Sequence, residues 1–368
     1  MDFRYTDDQN QFRTALRDFL QQACPPARVR EIAAAGGHDP NLWRRMCGEL
    51  ELPGLHVSDR YGGSGATLSE TAIAFEELGR ALTPAPLLGT VAVIEALLRM
   101  GSAEQRNRLL PALVRGTRIG AIAACPDITR PADTRSADAV SLTADFASGA
   151  PVLTGECSPV LHDTAADLFV LPAVTDGAAA AYLVAADAPG LAREPLPSFD
   201  PTRPVSKLTL AGTPAEPLTA PGGWNRTLDV TRVLIAAEAL GGATACLQKS
   251  VEYACQRTQF GRPIGSFQAV KHACAEMMVE IEATRVAVMF AALTAGDPGQ
   301  LALTAPLVKA QAADTFTLCA ETALQVHGGI AFTWEHDIHL YYRRAKTTEA
   351  LFGGSTHHRA LLADRVGL

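Results

Sequence analysis

Several things are missing from this 368-residue chain, and each absence excludes something. None of its eight cysteines forms a C-x-x-C pair. That spacing is what a zinc knuckle or a redox-active dithiol needs, so reduced intracellular thiols are the expectation, without a disulfide framework. An excess of positive charge is missing too: 32 Lys and Arg stand against 39 Asp and Glu, a net charge of −7. Nucleic acid is therefore excluded as a partner on charge grounds. The opening stretch, MDFRYTDDQNQFR, is polar and acidic, unlike a signal peptide. No apolar run reaches the roughly 18 residues of a membrane span. No internal repeat is evident. A soluble, cytoplasmic protein with no membrane partner is expected. What the chain does have is ordinary: 48% hydrophobic and 19% charged residues, enough for two or three packed units rather than extended disorder.

Three textures follow one another, and they predict an α+β protein. Residues 1–116 read as a helical domain. Phe12, Leu16, Phe19 and Leu20 recur at helical spacing, as do Leu42, Trp43, Met46 and Leu50. Thr67 or Ser69 can cap the helix that follows the Gly62-Gly-Ser-Gly turn. Residues 117–223 are rich in Val, Thr, Pro, Gly and Asp, and predict short strands in a small β domain, with a linker over 214–223. Residues 224–368 predict a four-helix bundle, helical from Asp229 with further helices over about 267–294, 304–324 and 336–350. Small side chains dominate these helices, which lets their axes approach closely.

Two segments carry chemistry. The first is Arg257-Thr-Gln-Phe-Gly-Arg-Pro-Ile-Gly-Ser-Phe-Gln268. It joins two helices and offers a planar guanidinium to an anion, although a loop with a surface Arg would read the same way. The second is Gln325-Val-His-Gly-Gly-Ile-Ala-Phe-Thr-Trp-Glu-His-Asp337. Its Gly328-Gly329 pair permits close backbone approach, for instance to a pyrophosphate, but such pairs are also common in turns.

Together, at this separation and in this domain order, the segments closely resemble the acyl-CoA dehydrogenase family. Trp43, Tyr61-Gly-Gly-Ser-Gly65, Glu77-Leu-Gly-Arg-Ala-Leu82, Pro86 and Leu110-Pro-Ala-Leu-Val-Arg-Gly116 extend the resemblance over nearly the whole chain. The resemblance implies FAD as cofactor and an acyl-CoA thioester as substrate. It also implies an electron-transfer flavoprotein as acceptor, and a dimer or tetramer with flavins at the subunit interfaces. In this family one chain holds the flavin ring and the acyl chain, while its neighbour holds the ADP half. Arg257, Phe260 and Gln268 match the first signature of the ADP set, and Gln325, Gly328 and Gly329 match the second. Ala331 stands where a further Gly is usual.

The ring set departs from the family. A Thr-Glu-Pro motif reads Ala124-Cys125-Pro126 here. The Trp and the hydroxyl donor of the next motif become Pro159 and Leu161. Aligning on Arg344-Ala345-Lys346 and Arg359 places Phe352 at the catalytic Glu, Gly354 at a flavin-contacting Thr and Thr356 at a nearby Gln. The alternative Glu position, on the helix opening the last domain, is Thr231. Phe and Thr cannot take a proton at neutral pH, so neither placement of the base is filled. Asp229 and Arg232 match a motif near the CoA moiety, and an ion pair at a helix start fits them equally.

Other acids were weighed. Glu349 is a displaced base or a solvated, paired acid. Glu238 is an interhelix ion pair or a functional acid. Glu335, His336, Asp337 and His339 read as interface and capping residues, with no metal pattern such as H-E-x-x-H. His357 and His358 read as a polar tail. One half-site kept and the other eroded resembles the base-less subunit of heteromeric, α2β2-like members that act on steroid side-chain CoA esters, with the Glu on a homologous partner subunit. A self-sufficient dehydrogenase or oxidase using Glu349, and a non-catalytic scaffold of the same fold, remain as alternatives.

Overall fold

Local side-chain chemistry starts the helices. The structure, a computed structural model, describes residues 4–125, 141–146, 149–175, 178–219 and 222–368. Thr6 with Gln9 opens α1 (Asp7–Ala23), and Thr67 with Glu70 opens α4 (Leu68–Arg80), each pair forming a reciprocal capping box. Between them lie α2 (Pro26–Ala34) and α3 (Pro40–Leu50). Two more helices, α5 (Leu87–Met100) and α6 (Ala103–Val114), complete the first helical layer.

Strands follow: β1 (Gly120–Ile122), β2 (Thr143–Asp145), β3 (Val152–Leu161), β4 (Leu168–Thr175), β5 (Ala178–Ala185), β6 (Leu191–Leu196), β7 (Val205–Pro214) and β8 (Glu216–Leu218). They form one sheet in the order β6-β7-β3-β2-β4-β5-β8, with β1 parallel to β4. The expected linker over 214–223 therefore contains a strand, because Glu216, Pro217 and Leu218 pair with β5.

The bundle comprises α7 (Gly223–Gln256), α8 (Gln268–Thr294), α9 (Pro298–His327), α10 (Ile338–Ala350) and α11 (Ser355–Val366). Two of its helices begin earlier than periodicity predicts. In α7 the helix starts six residues before Asp229. In α9, Asp297 accepts hydrogen bonds from the Gly299 and Gln300 N–H groups, and Pro298 fills the first turn, where its missing N–H costs nothing. Pro306 sits inside α9 without ending it. By length and composition α7 could cross a membrane, contrary to the sequence expectation, but 89% of its most apolar window is buried inside the protein. It is the central core helix.

Close approach of α4 to α7 depends on two glycines. A Cβ on Gly79 would lie 1.9 Å from the Glu238 carbonyl oxygen, and one on Gly241 would lie 1.8 Å from that of Glu76. This crossing ties the first helical layer to the bundle. It also sets Glu238 against the loop that precedes β7.

Candidate functional site

The first signature folds into a minimal hairpin. Two short strands, β9 (Thr258–Gln259) and β10 (Arg262–Pro263), pair across Phe260 and Gly261. Both turn residues take positive φ, +54° and +76°, as the tightest two-residue hairpin requires. The turn leaves the Phe260 ring 91% exposed. Arg257 and Gln268 are exposed as well. At the end of α9, Gly328 takes φ +66°, and a Cβ on it or on Gly329 would meet nothing within 4 Å. Their backbone is therefore open to a ligand. Tyr253, four residues before Arg257, stacks on His327 with ring centroids 4.5 Å apart. The two signatures are thus brought to the same end of the bundle.

Beside Gly328 lies an open groove of about 580 Å³, walled by Gln325, Phe332, Trp334, His339, Tyr342 and Arg343, among others. Exposed guanidinium, amides, backbone N–H groups and aromatic faces are the donor set that a dinucleotide needs. The ADP half of FAD fits this surface.

The positions expected at the flavin ring are packed against one another. The Ala124 N–H donates to the Pro159 carbonyl at 2.9 Å, and the Phe352 N–H donates to the Ala124 carbonyl at 3.2 Å. The three substituted positions are therefore stitched together by their own backbone. Phe352 is fully buried and takes φ +58°, an uncommon conformation for a bulky residue. Cys125 is buried, and Pro126 lies outside the described residues. Thr231 is buried, and its hydroxyl donates to the Thr227 carbonyl at 2.8 Å within its own helix. The cavity lined by Leu161, His162, Arg203, Glu238 and Arg344 measures about 20 Å³, room for one water at most.

Ion pairs fill what space remains. Glu238 bonds Arg203 and Arg344, and Arg344 also bonds Asp200. Burial pushes the Asp200 carboxyl up, but the guanidinium groups of Arg344 and Arg203 outweigh it and hold the group below the usual range. Burial, with Arg203 and Arg344 nearby, lowers His162 to about 3, so it is neutral. Glu238 is thus an interior ion-pair acid. Lys309 is buried and donates to the Thr348, Glu349 and Gly353 carbonyls at 2.9, 3.2 and 3.1 Å. It ties the end of α10 to the turn that carries Phe352, a role no spacing in the sequence signals.

Remaining candidates separate cleanly. The Glu349 carboxylate faces Lys346 at 3.6 Å. Asp229 and Arg232 are buried and paired at 2.7 Å, with Arg365 also on Asp229 at 3.0 Å. Asp337 pairs with Arg30 at 2.8 Å, and the His336 Nδ1 accepts the Ile338 N–H at 3.2 Å. His358 is fully buried within α11 with neither ring nitrogen hydrogen-bonded, so the polar-tail reading is corrected. Burial pushes its ring well below the ordinary histidine range, which fits a neutral packing residue.

Sequence comparison agrees with this architecture. The acyl-CoA dehydrogenase N-terminal domain matches residues 6–117, and the C-terminal domain matches residues 223–367. The chain is 36% identical to acyl-CoA dehydrogenase IpdE2 of Mycobacterium tuberculosis, over 92% of this chain and 91% of that one. Among solved structures, the ChsE4-ChsE5 complex from Mycobacterium tuberculosis superposes with a TM-score of 0.90 at 28% identity, covering 100% of this chain and 99% of that one. The Tcur3481-Tcur3483 steroid ACAD G363A variant superposes with a TM-score of 0.89 at 30% identity, covering 98% of each chain. The chain belongs to the acyl-CoA dehydrogenase family, whose members are FAD-dependent oxidoreductases.

Proposed function

We propose that this chain is the base-less subunit of a heteromeric, α2β2-like acyl-CoA dehydrogenase. Its contribution is the ADP-half clamp: Arg257, Phe260 and Gln268 from the hairpin side, and Gln325, Gly328 and Gly329 from the end of α9. A homologous subunit contributes the ring pocket and the catalytic Glu, so that each FAD lies between unlike chains. The observation that supports this reading is Phe352, fully buried at the expected base position and hydrogen-bonded to Ala124, against the open backbone at Gly328 and Gly329. A chain with an open ADP surface and no carboxylate at the expected base positions supplies half a site. Two solved relatives that are themselves two-protein complexes support the arrangement.

When bound, FAD supplies the hydride acceptor for α,β-dehydrogenation of the thioester. This chain's residues bind and orient the nucleotide half, while the α-proton goes to the partner's carboxylate. The substrate we favour is a bulky CoA ester of the steroid side-chain type, with an electron-transfer flavoprotein as acceptor. We place the protein in the cytoplasm, in keeping with eight free cysteines. We divide it into a helical domain (1–116), a β domain (117–223) and a bundle (224–368).

Flavin absorbance per chain tests the reading, on the protein expressed alone and with its dehydrogenase-like genomic neighbour. The expected result is little flavin alone, and one FAD per unlike pair with CoA-ester turnover only in the complex. One FAD per chain with turnover by the homomer would overturn it.

A further inference from the structure

Another cavity, of about 230 Å³, lies where α1, α4, α7 and α10 meet. Tyr341 of α10 lines it, whereas Tyr342 and Arg343 of the same helix line the groove beside Gly328. Its floor is apolar: Leu20, Cys24, Ala245 and Tyr341 are all buried. The Tyr341 hydroxyl donates to the Arg80 carbonyl at 2.8 Å, so it is spent within the fold.

Charge is confined to the rim. Arg17, Arg80 and Lys249 stand there with two carboxylates, Glu77 and Glu252. Arg17 grips Glu77 with two hydrogen bonds, at 2.9 and 2.6 Å. Lys249 reaches Asp337 at 3.8 Å. Arg80 differs. Its guanidinium donates to the neutral side-chain oxygen of Gln248, and it pairs with no carboxylate among the described residues. Glu252, exposed one turn further along α7, attracts it without reaching ion-pair distance. Burial, with Arg17 nearby, pushes the Arg80 side chain below its ordinary value.

A half-buried guanidinium that faces an amide above an apolar floor is short of one negative charge. The missing group must offer two oxygens to the fork of donors, and it must carry an apolar body to cover the floor. A carboxylate on a compact apolar body meets both demands. Inorganic phosphate meets only the first, because it would lose hydration against Leu20 and Ala245 without replacement bonds. The volume limits the size. At about 230 Å³ the cavity is below the roughly 300 Å³ at which pockets for drug-sized ligands begin, so a nucleotide is too large for it.

We propose that the cavity between α1, α4, α7 and α10 binds a small apolar carboxylic acid. Arg80 takes the carboxylate, and Leu20, Cys24, Ala245 and Tyr341 cover the apolar body. The site does not depend on the divided-flavin reading.

Fluorine NMR of 4-fluorobenzoate with the full chain tests it. Saturable line broadening is expected, reversed by excess butyrate. Arg80→Gln should weaken binding about tenfold, because a charge-assisted contact is lost. Gln248→Glu should weaken it by at least as much, because the new carboxylate supplies in place the charge that the ligand brings. That variant alters an exposed side chain and removes no volume, so it decides the matter even where Arg80→Gln does not fold. No saturable broadening, or unchanged affinity in a folded Gln248→Glu chain, overturns the site. Displacement by inorganic phosphate as effective as that by butyrate overturns the choice of an apolar acid. Loss of the signal when the unlike subunit is bound means that the partner covers the cavity, and overturns a small-molecule site in the assembled protein.

Discussion

Lys309 shows how a single buried side chain holds a functional surface in place. Its ammonium faces three carbonyls, with Arg232 on α7, Asp314 on its own helix, Glu349 on α10, His358 on α11 and Arg203 from the loop before β7 around it. Burial, reinforced by Arg232, lowers it from 10.5 to about 7. Below pH 7 the group is charged in both folded and unfolded chains, and the full cost of burying the charge is present. Between about pH 7 and 10.5 the unfolded chain binds the extra proton, so this group's contribution to stability rises with pH. Lys309→Met leaves three carbonyls without a donor, and a loss of about 2 kcal/mol is expected near pH 8. The deficit should widen from pH 7 to 9 and narrow toward pH 6. Denaturant melts of both proteins across that range check it, and a pH-independent difference would mean that native Lys309 keeps its proton through that range, as the unfolded chain does.

At the scale of elements, the α4–α7 crossing is the most demanding contact. Gly241→Ala places a methyl 1.8 Å from a backbone oxygen that no side-chain rotamer can relieve. A destabilisation of about 3 kcal/mol is expected from chemical melts, against a gain of about 0.5–1 kcal/mol for Gly48→Ala in α3, whose Cβ would meet nothing within 4 Å. This crossing also marks what was legible beforehand. The small residues of α7 announced close packing, and Thr67 announced the start of α4, because both signals are local. The early start of α9 carries no apolar periodicity, and Pro298 sits harmlessly in its first turn. The strand at Glu216 was hidden by its prolines, since only pairing with β5 makes it a strand. Phe352 and Thr231 at the expected base positions were read from the resemblance alone. The hydrogen bond that ties Phe352 to Ala124 was not, because it joins segments more than 220 residues apart. Lys309 carries no motif, and its role follows from where the bundle places it.

For the whole molecule, the exposed apolar residues of α8 indicate where a partner chain belongs. Val279, Val286 and Leu293 fall seven residues apart, two helical turns per step, and are 66%, 52% and 42% exposed. Such a stripe is unfavourable on a free surface and ordinary at a helix-to-helix interface. It runs along the same helix whose first residue, Gln268, belongs to the nucleotide clamp, so the chain that covers the stripe also approaches the cofactor surface. Replacing Val279 and Val286 together by Glu changes only exposed side chains, so the isolated chain should keep its thermal midpoint, the individual costs being within about 0.5 kcal/mol. Association with the unlike subunit should be lost, because two carboxylates would have to be desolvated without partners. Size-exclusion chromatography with light scattering on the co-expressed pair measures this directly. A variant pair that still elutes as the wild-type complex with its flavin would place the interface elsewhere on the bundle.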